Sequence, residues 1–343
     1  MNADPKRILL IKPSSLGDVV HALPVLNLLK RRWPQAQISW LVTPACAGLI
    51  ESHPQLHETI VFERRRLGAF WRNPRAAAGL MRLTKELRQR QFDLALDLQG
   101  LLRSGWLAWR SGAPRRVGLS DSRELAWLFH NQRVFIDKPD QHAVDRYLAA
   151  AEALGCGRQP VEFLLPQRQA DRQSVEAMLP PERFAVLLPA ANWLTKRWPV
   201  ERYAALVEPL RQCFGLSSVV AGGTDAVELA RDIPGALSLA GKTTLGQLVE
   251  LLRRADLVVA NDTGPMHIAA ALGRPLVAVF GPTNPQRTGP YGRPECVVRV
   301  EVPCAPCYRR RCWHRSCLEW LGIEPVLAAA QRQLAGAGAG QLQ

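Results

Sequence analysis

The chain has 343 residues, of which 47% are hydrophobic, and its formal net charge is +14. This length and composition predict a globular protein of two ordinary domains and exclude a disordered chain; no apolar run approaches the roughly 18 to 20 residues of a membrane-spanning helix, and the first residues lack the pattern of a secretory signal. The basic excess predicts an anionic partner, with nucleic acid, anionic lipid and a phosphorylated substrate as open alternatives.

The chain opens with a predicted strand, turn and helix. Residues 8–11 are apolar and typical of a buried strand, residues 13–17 form a turn, and residues 19–33 continue as a helix. Asp18 lies at the predicted start of this helix, where aspartate is a favoured capping residue. The same position is at the carboxyl edge of a parallel sheet, where α/β proteins bind ligands. A plain helix cap and a functional carboxylate are therefore both open for Asp18.

Strands and helices continue to alternate through the first half of the chain. We expect strands over residues 38–42, 59–62, 92–98 and 116–119, and helices over residues 75–90 and 144–154, with a further helix opened by residues 99–104.

After a proline-rich stretch at residues 160–181 the alternation restarts. We expect strands over residues 184–188, 218–221, 257–260 and 276–280, and helices over residues 200–213, 226–232, 245–254 and 266–272. Repeated strand–helix units with a reset in the middle predict an α/β protein with two Rossmann-like parallel-sheet domains facing a cleft. The domains are assigned to residues 1–168 and 169–334, and the alanine- and glycine-rich residues 335–343 are expected to form a disordered tail.

The most informative segment is the turn that follows the strand at residues 257–260. Residues 261–264 form a short polar turn, and Pro265 suits the first position of a helix because its missing N–H costs nothing there. A strand that opens onto a helix N-terminus is where open α/β sheets bind phosphates and sugars. We expect Thr263 and His267 to face that site, although a packed helical histidine is the alternative for His267.

Four of the eight cysteines are clustered near the carboxyl end of the chain. They are Cys304, Cys307, Cys312 and Cys317, with His314 between the last two. Four thiols so close together suit a structural zinc ion, but a reduced or partly disulfide-bonded loop fits the same spacing, so both alternatives stay open. The lack of an export signal favours a reducing cytoplasm.

Several short segments, taken in order, resemble glycosyltransferase family 9, the bacterial heptosyltransferases that build the inner core of lipopolysaccharide. The matching segments are residues 12–18 (KPSSLGD), 97–101 (DLQGL), 196–199 (KRWP), 261–267 (NDTGPMH) and 280–285 (FGPTNP). Within the family, residues 97–103, 122–124 and 142–146 are most similar to the heptosyltransferase I branch, which adds the first heptose to Kdo.

The resemblance implies a GT-B architecture and an inverting transfer without cofactor or metal ion. The donor substrate is then ADP-L-glycero-D-manno-heptose, bound mainly by the second domain. The acceptor is Kdo2-lipid A or a related inner-core molecule, bound mainly by the first domain. Such an enzyme is expected to be cytoplasmic and peripheral on the inner leaflet of the cytoplasmic membrane, with no nucleic-acid partner.

The resemblance also assigns roles to individual residues. Asp18 matches the general base, since an inverting transfer needs one group to take the proton of the acceptor hydroxyl. Lys196 matches a diphosphate ligand, for which a solvated surface lysine is the alternative. The remaining donor-binding candidates are Asn192 and Thr195 for phosphate contacts, Glu228 for the ribose with Asp225 as an alternative, Asp262 for a sugar hydroxyl, and Thr263, Gly264 and His267 near the diphosphate and heptose.

The acceptor-binding candidates come from the first domain. They are Ser15, Arg64, Arg65, Arg66, Arg123 and Arg146. The three consecutive arginines open a basic stretch that runs to residue 90 and contains the aromatic residues Phe70 and Trp71. Kdo carboxylates, lipid A phosphates and an anionic leaflet are all attracted to such a surface, whereas a solvated helix face is the plainer interpretation.

Other function classes compete with this assignment. Another inner-core heptosyltransferase, or a sugar-nucleotide epimerase that needs no acceptor, has the same architecture. The net charge alone fits a nucleic-acid-binding protein, but no spacing of a known nucleic-acid-binding motif is evident. An NAD-dependent oxidoreductase is disfavoured because the first turn lacks the G-x-G-x-x-G pattern.

Overall fold

The computed structural model describes residues 4–63, 72–138 and 140–339. The chain divides into two compact units, Met1–Pro166 and Gln167–Gln343. Within the described residues no helix combines the length and apolarity that crossing a membrane requires.

The first unit is built on a parallel sheet. Among the described residues it has six strands, in the order β3-β2-β1-β4-β5-β6. The strands are β1 (Arg7–Ile11), β2 (Gln37–Val42), β3 (Glu58–Val61), β4 (Leu94–Asp97), β5 (Arg115–Leu119) and β6 (Gln132–Val134). The helices are α1 (Leu16–Arg32), α2 (Pro44–Ile50), α3 (Pro74–Gln89), α4 (Leu102–Arg110) and α5 (Ala143–Ala153), with a 3₁₀ turn over Ala126–Phe129.

The second unit repeats this plan. Its six described strands lie in the order β12-β11-β10-β7-β8-β9. The strands are β7 (Phe184–Leu188), β8 (Ser217–Val220), β9 (Leu237–Ser238), β10 (Leu257–Asn261), β11 (Leu276–Val279) and β12 (Val297–Val298). The helices are α6 (Gln169–Glu176), α7 (Val200–Phe214), α8 (Val227–Arg231), α9 (Leu245–Arg254), α10 (Gly264–Ala271), α11 (Pro285–Thr288), α12 (Ser316–Glu319) and α13 (Glu324–Ala339), with 3₁₀ turns over Leu194–Lys196, Thr224–Ala226 and Pro294–Cys296.

Both sheets have the same topology, and it fixes where ligands bind. The strand order reverses between β1 and β4 in the first unit and between β7 and β10 in the second. At such a reversal the connections leave in opposite directions, so a crevice opens outside the carboxyl ends of the two strands. Ile11 of β1 pairs with Asp97 of β4, and Leu188 of β7 pairs with Ala260 of β10. The residues that follow these pairs therefore lie at the two crevices.

The apolar runs of the sequence explain the cores. Leu9 and Ile11 of β1 are fully buried and pack in one cluster with Leu83 of α3 and Leu107 of α4. A second cluster joins the sheet of the second unit to its helices. Strands buried on both faces need continuous apolar runs, which is why these strands could be predicted from the sequence. The predicted fold class, an α/β chain with two parallel sheets of the GT-B kind, is confirmed.

Short elements were not predicted. They include α2, β6, the helix α6 within the proline-rich stretch, and the small elements β9, α11, β12 and α12. Helix α13 includes residues 335–339 of the stretch that composition predicted to be disordered. Alanine has the highest helix propensity, which fits a helical backbone there. Residues 340–343 lie outside the described residues.

Candidate active site

Asp18 lies in the first turn of α1, next to the crevice of the first unit. Its predicted position at the helix cap is wrong by three residues, because Ser15 is the N-cap and Asp18 is the third helical residue. The Asp18 Oδ2 atom accepts hydrogen bonds from the backbone N–H of Ser15 at 2.9 Å and from its hydroxyl at 2.8 Å. A carboxylate in the first turn stabilises the helix, because it interacts favourably with the positive end of the helix dipole. The bonds to Ser15 therefore orient one oxygen of Asp18 through residues that are local in sequence.

The second oxygen of Asp18 faces two groups from other elements. The Tyr147 hydroxyl on α5 donates to Oδ1 at 3.2 Å. The Lys12 ammonium, just after β1, lies 3.7 Å from the same oxygen, and its side chain is 4% exposed against 34% for Asp18. Lys12 is also 5.1 Å from the centre of the Tyr147 ring. The lysine of this pair is therefore the buried member, and the Asp18 carboxylate is the member that solvent can reach.

The electrostatics of this group keep Asp18 ionised. Burial by itself raises the pKa of Asp18, but the Lys12 ammonium, His21 and the two hydrogen bonds from Ser15 outweigh it, so the pKa lies well below its usual range. Burial lowers the pKa of Lys12, and the charges of Asp18 and Asp97 oppose that shift. Burial and the Asp18 charge raise the pKa of Tyr147 well above its usual value. Tyr147 is therefore a neutral hydrogen-bond donor at physiological pH.

Asp97 is a second, fully buried carboxylate at the end of β4. Its Oδ1 accepts from the backbone N–H groups of Gln99 and Gly100, and its Oδ2 lies 2.9 Å from Ser104 Oγ and 3.0 Å from His130 Nε2. Gly118 leaves room for the imidazole, because a Cβ there would lie 2.1 Å from His130 Nδ1. Since these partners satisfy its oxygens, Asp97 supports the loops of the crevice and is not available to a substrate.

The predicted acceptor residues of the first unit lie in different surroundings. Arg146, next to Tyr147 on α5, forms an ion pair with Asp121, and its charge acts on both Lys12 and Tyr147. Arg123 is exposed, and its backbone N–H donates to the carbonyl of Gly100. Ser15 is held against Asp18. Arg64, Arg65 and Arg66, with Phe70 and Trp71, lie outside the described residues.

In the second unit, Lys196 and Asp262 form a close ion pair at the crevice. The Lys196 Nζ lies 2.6 Å from Asp262 Oδ2, and the side chains are 18% and 5% exposed. The hydroxyl of Thr283, which follows β11, donates to the same carboxylate oxygen at 2.6 Å. The ammonium is also 4.7 Å from the centre of the Trp193 ring. In this pair the carboxylate is the buried member and the lysine is the more accessible one.

Asn261 holds the loop that carries Lys196. Its buried side chain donates to the carbonyl of Pro189 at 2.8 Å and accepts from the backbone N–H of Trp198 at 3.0 Å. These two bonds tie both ends of the loop between β7 and α7 to the end of β10. The segments 196–199 and 261–267, which are far apart in sequence, therefore form one structural unit.

The other predicted donor residues lie in the loops and helices that follow β7, β8 and β10, at the carboxyl edge of the same sheet. Thr263 is the N-cap of α10 but makes no capping hydrogen bond through its side chain in the described structure, Gly264 is the first helical residue, and His267 is buried on the same helix. Asn192 is exposed in the loop before Lys196, whereas Thr195 is buried and its hydroxyl donates to the carbonyl of Arg309 at 2.8 Å. Glu228 is exposed on α8, beyond the end of β8.

The cysteine cluster lies in a loop that packs beside the 3₁₀ turn Leu194–Lys196, where the Thr195 hydroxyl donates to the carbonyl of Arg309. The backbone N–H groups of Cys307 and Tyr308 both donate to the carbonyl of Pro282. All four clustered cysteines are free thiols. Across the part of the chain that the structure describes, no group of three or more His, Cys, Asp or Glu side chains is arranged to hold a metal ion.

Sequence reasoning missed the residues that support the two charged groups. Lys12 and Thr283 lie within the matched segments, but no role was predicted for either of them. The sequence does not reveal the role of Tyr147, because a tyrosine on the buried face of a helix has the same spacing whether or not it has a function. Lys12 had a usable signal, since a lysine directly after a buried strand is expected at the ligand edge of the sheet.

Two comparisons by sequence match most of the chain. The family model described as glycosyltransferase family 9 (heptosyltransferase) matches residues 80–317. Lipopolysaccharide heptosyltransferase 1 of Pseudomonas aeruginosa is 35% identical over 90% of this chain and 88% of its own length.

Two solved structures are similar over nearly the whole chain. The E. coli ADP-heptose lipopolysaccharide heptosyltransferase II superposes with a TM-score of 0.77 at 27% identity, covering 97% of this chain and 99% of its own. The E. coli heptosyltransferase WaaC with ADP superposes with a TM-score of 0.76 at 28% identity, covering 95% of this chain and 99% of its own.

Proposed function

This chain belongs to glycosyltransferase family 9, and on that premise we propose that it transfers heptose from ADP-heptose to the Kdo region of the lipopolysaccharide inner core. A relative named lipopolysaccharide heptosyltransferase 1 and a similar structure named for ADP-heptose support this choice of reaction.

One observation carries the proposal: the two units expose opposite charges at equivalent places. Each has a lysine–aspartate pair at the point where its strand order reverses. The first unit buries the lysine and exposes Asp18, whereas the second buries Asp262 and exposes Lys196. Transfer from a sugar nucleotide needs an exposed base on the acceptor side and an exposed positive charge on the diphosphate side.

The proposed chemistry is a single displacement with inversion. The acceptor oxygen forms a bond to the anomeric carbon as the bond from that carbon to the β-phosphate oxygen breaks. Asp18 takes the proton of the acceptor hydroxyl, which becomes acidic only as the new bond forms. A carboxylate with a low pKa is therefore a sufficient base.

The leaving diphosphate is proposed to be held by this chain's own groups. Lys196 supplies the charge, and Thr263 and Gly264, at the N-terminus of α10, supply hydrogen bonds. His267 lies on α10, and Asn192 lies in the loop that carries Lys196. The reaction as proposed needs no metal ion and no cofactor, since these groups provide the positive field that a metal otherwise supplies.

The other donor contacts follow from the remaining residues. Asp262 orients Lys196 and is also a candidate for a heptose hydroxyl, and Glu228 is the candidate for the ribose. The hydroxyl of Thr195 already donates to Arg309, so its contribution to phosphate binding is expected to be indirect.

On the acceptor side, Arg123 and Arg146 are proposed to bind the Kdo carboxylates, together with the arginines at positions 64–66. Ser15 donates both its N–H and its hydroxyl to Asp18, so its oxygen is proposed to accept from an acceptor hydroxyl. A lipid-anchored acceptor requires the enzyme to work at the inner leaflet of the cytoplasmic membrane, so we propose a peripheral, cytoplasmic location. The positive charge then serves the anionic lipid and substrate rather than nucleic acid.

The experiment that tests the function is incubation with ADP-heptose and Kdo2-lipid A, followed by mass spectrometry of the lipid. The expected result is a gain of one heptose. A lipid that already carries one heptose serves as the second acceptor, because the similar heptosyltransferase II structure favours it as the alternative. Transfer only to that lipid would make it, and not Kdo2-lipid A, the acceptor of this enzyme. Turnover of ADP-heptose without any acceptor would indicate an epimerase.

A further inference from the structure

We propose that the first unit docks on an anionic membrane through one exposed apolar surface, built from α4, the 3₁₀ turn at Ala126–Phe129 and the end of β6. This inference rests on the proposed function, because it names the surface that brings the acceptor half to a lipid-anchored substrate.

This docking surface is unusually apolar for an exposed region. Its members are large hydrophobic side chains that remain exposed, with Phe135 the most open at 77%: Leu102, Trp109, Leu125, Trp127, Leu128 and Phe135. Single exposed hydrophobic residues are common, but six of them on neighbouring elements indicate a surface that is covered in use.

Contacts between the elements place α4, the 3₁₀ turn and β6 next to one another. The rings of Trp109 and Phe129 are 6.1 Å apart. Helix α4 approaches the 3₁₀ turn so closely that a Cβ on Gly105 would lie 2.8 Å from the carbonyl oxygen of Ala126. The Arg133 guanidinium lies 5.7 Å from the centre of the Trp127 ring. Phe135 directly follows β6, two residues beyond Arg133.

The backbone before the turn supports a functional role for this exposure. Glu124 and Leu125 have φ values of 55° and 60°, in the left-handed region that non-glycine residues avoid. If these positions served only to connect two elements, glycine would be expected, because it adopts positive φ values without strain. Strained conformations of this kind persist where the placement of a side chain matters, and here the result is an exposed leucine.

The charge of the docking surface identifies its partner. Between Asp97 and Asp121 the chain contains four arginines and no acidic residue. Arg110 lies 5.7 Å from the centre of the Trp109 ring, and Arg133 covers Trp127. Arginines interleaved with tryptophan and phenylalanine suit the interface of an anionic bilayer, where the rings enter the headgroup layer and the guanidinium groups meet phosphates. A second copy of the chain would place these like charges against each other.

The docking surface also continues into the proposed acceptor site. Arg123 directly precedes the strained pair, and its backbone N–H bonds to Gly100, which in turn donates to Asp97. Leu102 begins α4 immediately after the same loop. A lipid whose sugar reaches Asp18 would therefore have its acyl chains close to the bilayer that this surface enters.

The test is co-sedimentation with vesicles of phosphatidylcholine containing about one quarter phosphatidylglycerol. The variant is Trp109→Ser/Phe135→Ser, and the matched control is Trp313→Ser/Trp320→Ser, which removes two exposed aromatic residues from the second unit. We expect the first variant to bind vesicles about tenfold more weakly than the wild type and the control to bind normally. Arg133→Glu should also weaken binding and reduce its dependence on salt.

Equal binding by the Trp109→Ser/Phe135→Ser variant and the wild type would overturn the proposal, as would an equal loss in the control. A wild-type dimer that this variant converts to a monomer, measured by light scattering, would assign the surface to a second copy instead.

A transfer assay separates this inference from the proposed function. The variant should lose activity on Kdo2-lipid A in vesicles and keep it on the deacylated, water-soluble acceptor. If the wild type transfers heptose to neither acceptor, the proposed function fails, while the vesicle binding result still decides the docking surface.

Discussion

The two crevices use the same pair of residue types in opposite arrangements. In the first unit Lys12 is buried 3.7 Å from an Asp18 carboxylate that keeps about a third of its side chain exposed. In the second unit Asp262 is buried, and the accessible Lys196 ammonium lies 2.6 Å from it. Both pairs lie where the strand order of a parallel sheet reverses.

The difference shows that burial decides which charge a fold presents. A buried charge needs an opposite partner to offset its loss of hydration. In the first unit the buried Lys12 ammonium also lowers the pKa of Asp18, and in the second unit the buried carboxylate of Asp262 holds the Lys196 ammonium in place. The same topology can therefore produce a base in one unit and an anion ligand in the other. Substitutions that remove the outer or the inner member of either pair test this comparison.

The largest effect is expected for Asp18→Asn. The amide keeps the shape of the carboxylate and its place near Ser15 but cannot take a proton, so turnover should fall by about a thousandfold. Steady-state transfer assays measure the loss. Asp137→Asn, an exposed aspartate of the same unit, is the control and should retain normal turnover. A decrease of less than about tenfold in the Asp18 variant would remove the base role.

The next largest effect is expected for Lys196→Met. Losing the ammonium removes a charge-assisted contact to the diphosphate, worth about 2 to 3 kcal/mol, so kcat/KM should fall by about a hundredfold. Asp262→Asn should cause a smaller loss through misplacement of Lys196. In the double variant the two losses should add only in part, since the carboxylate acts partly through the lysine. Fully additive losses would mean that Asp262 does not act through Lys196 and would leave it only the proposed contact with a heptose hydroxyl.

Removal of the inner lysine of the first unit should change the pH dependence of the reaction. Asp18 must be ionised to accept a proton, and its depressed pKa keeps it ionised below the ordinary value of about 3.9. In Lys12→Met burial still raises the pKa while the opposing ammonium is gone, so the acid limb of kcat/KM should move to higher pH. In a profile from about pH 4 to pH 8, the wild type should show no acid limb from Asp18, whereas Lys12→Met should show one.

Lys242→Met is the control for that profile. Its ammonium donates to the carbonyl of Ser238 in the second unit, far from Asp18 in the sequence and in a different compact unit. Its pH profile should match that of the wild type. An unchanged profile in Lys12→Met would mean that the lysine does not set the ionisation of Asp18.

The smallest effect is expected for Thr283→Val. The substitution removes the hydroxyl that donates to Asp262 at 2.6 Å and keeps the side-chain shape. Loss of one such bond costs about 1 kcal/mol, so donor affinity should weaken by about fivefold. Thr243→Val, in the loop after β9, should bind the donor normally. An unchanged affinity in Thr283→Val would show that the lysine needs no support beyond Asp262.

The sequence allowed the architecture to be predicted because its signals are local. The apolar runs at β1, β7 and β10 can be recognised in a few residues, and the strand–helix alternation then restricts the fold to parallel sheets. Short elements such as α2 and β9 carry too few residues for a periodic pattern. Asp18 could be singled out because it lies at the helix start that follows the first strand, and Lys196 because residues 196–199 resemble a segment of the family.

The inner partners could not be predicted for a physical reason. Tyr147 reaches Asp18 across 129 positions of the chain, and Thr283 reaches Asp262 from the loop after a different strand. Such contacts depend on tertiary packing, which leaves no local pattern. The cap assignment of Asp18 was wrong because Ser15 and Asp18 are both favoured near a helix start, and only the geometry distinguishes their positions.

The most direct test of the central comparison is calorimetric titration of ADP into the wild type, Asp18→Asn and Lys196→Met. If the second unit alone presents the charge that holds the diphosphate, Asp18→Asn should bind ADP within about twofold of the wild type, and Lys196→Met should bind it at least about thirtyfold more weakly. Equal weakening in both variants, or normal binding by Lys196→Met, would contradict the division of roles between the two pairs.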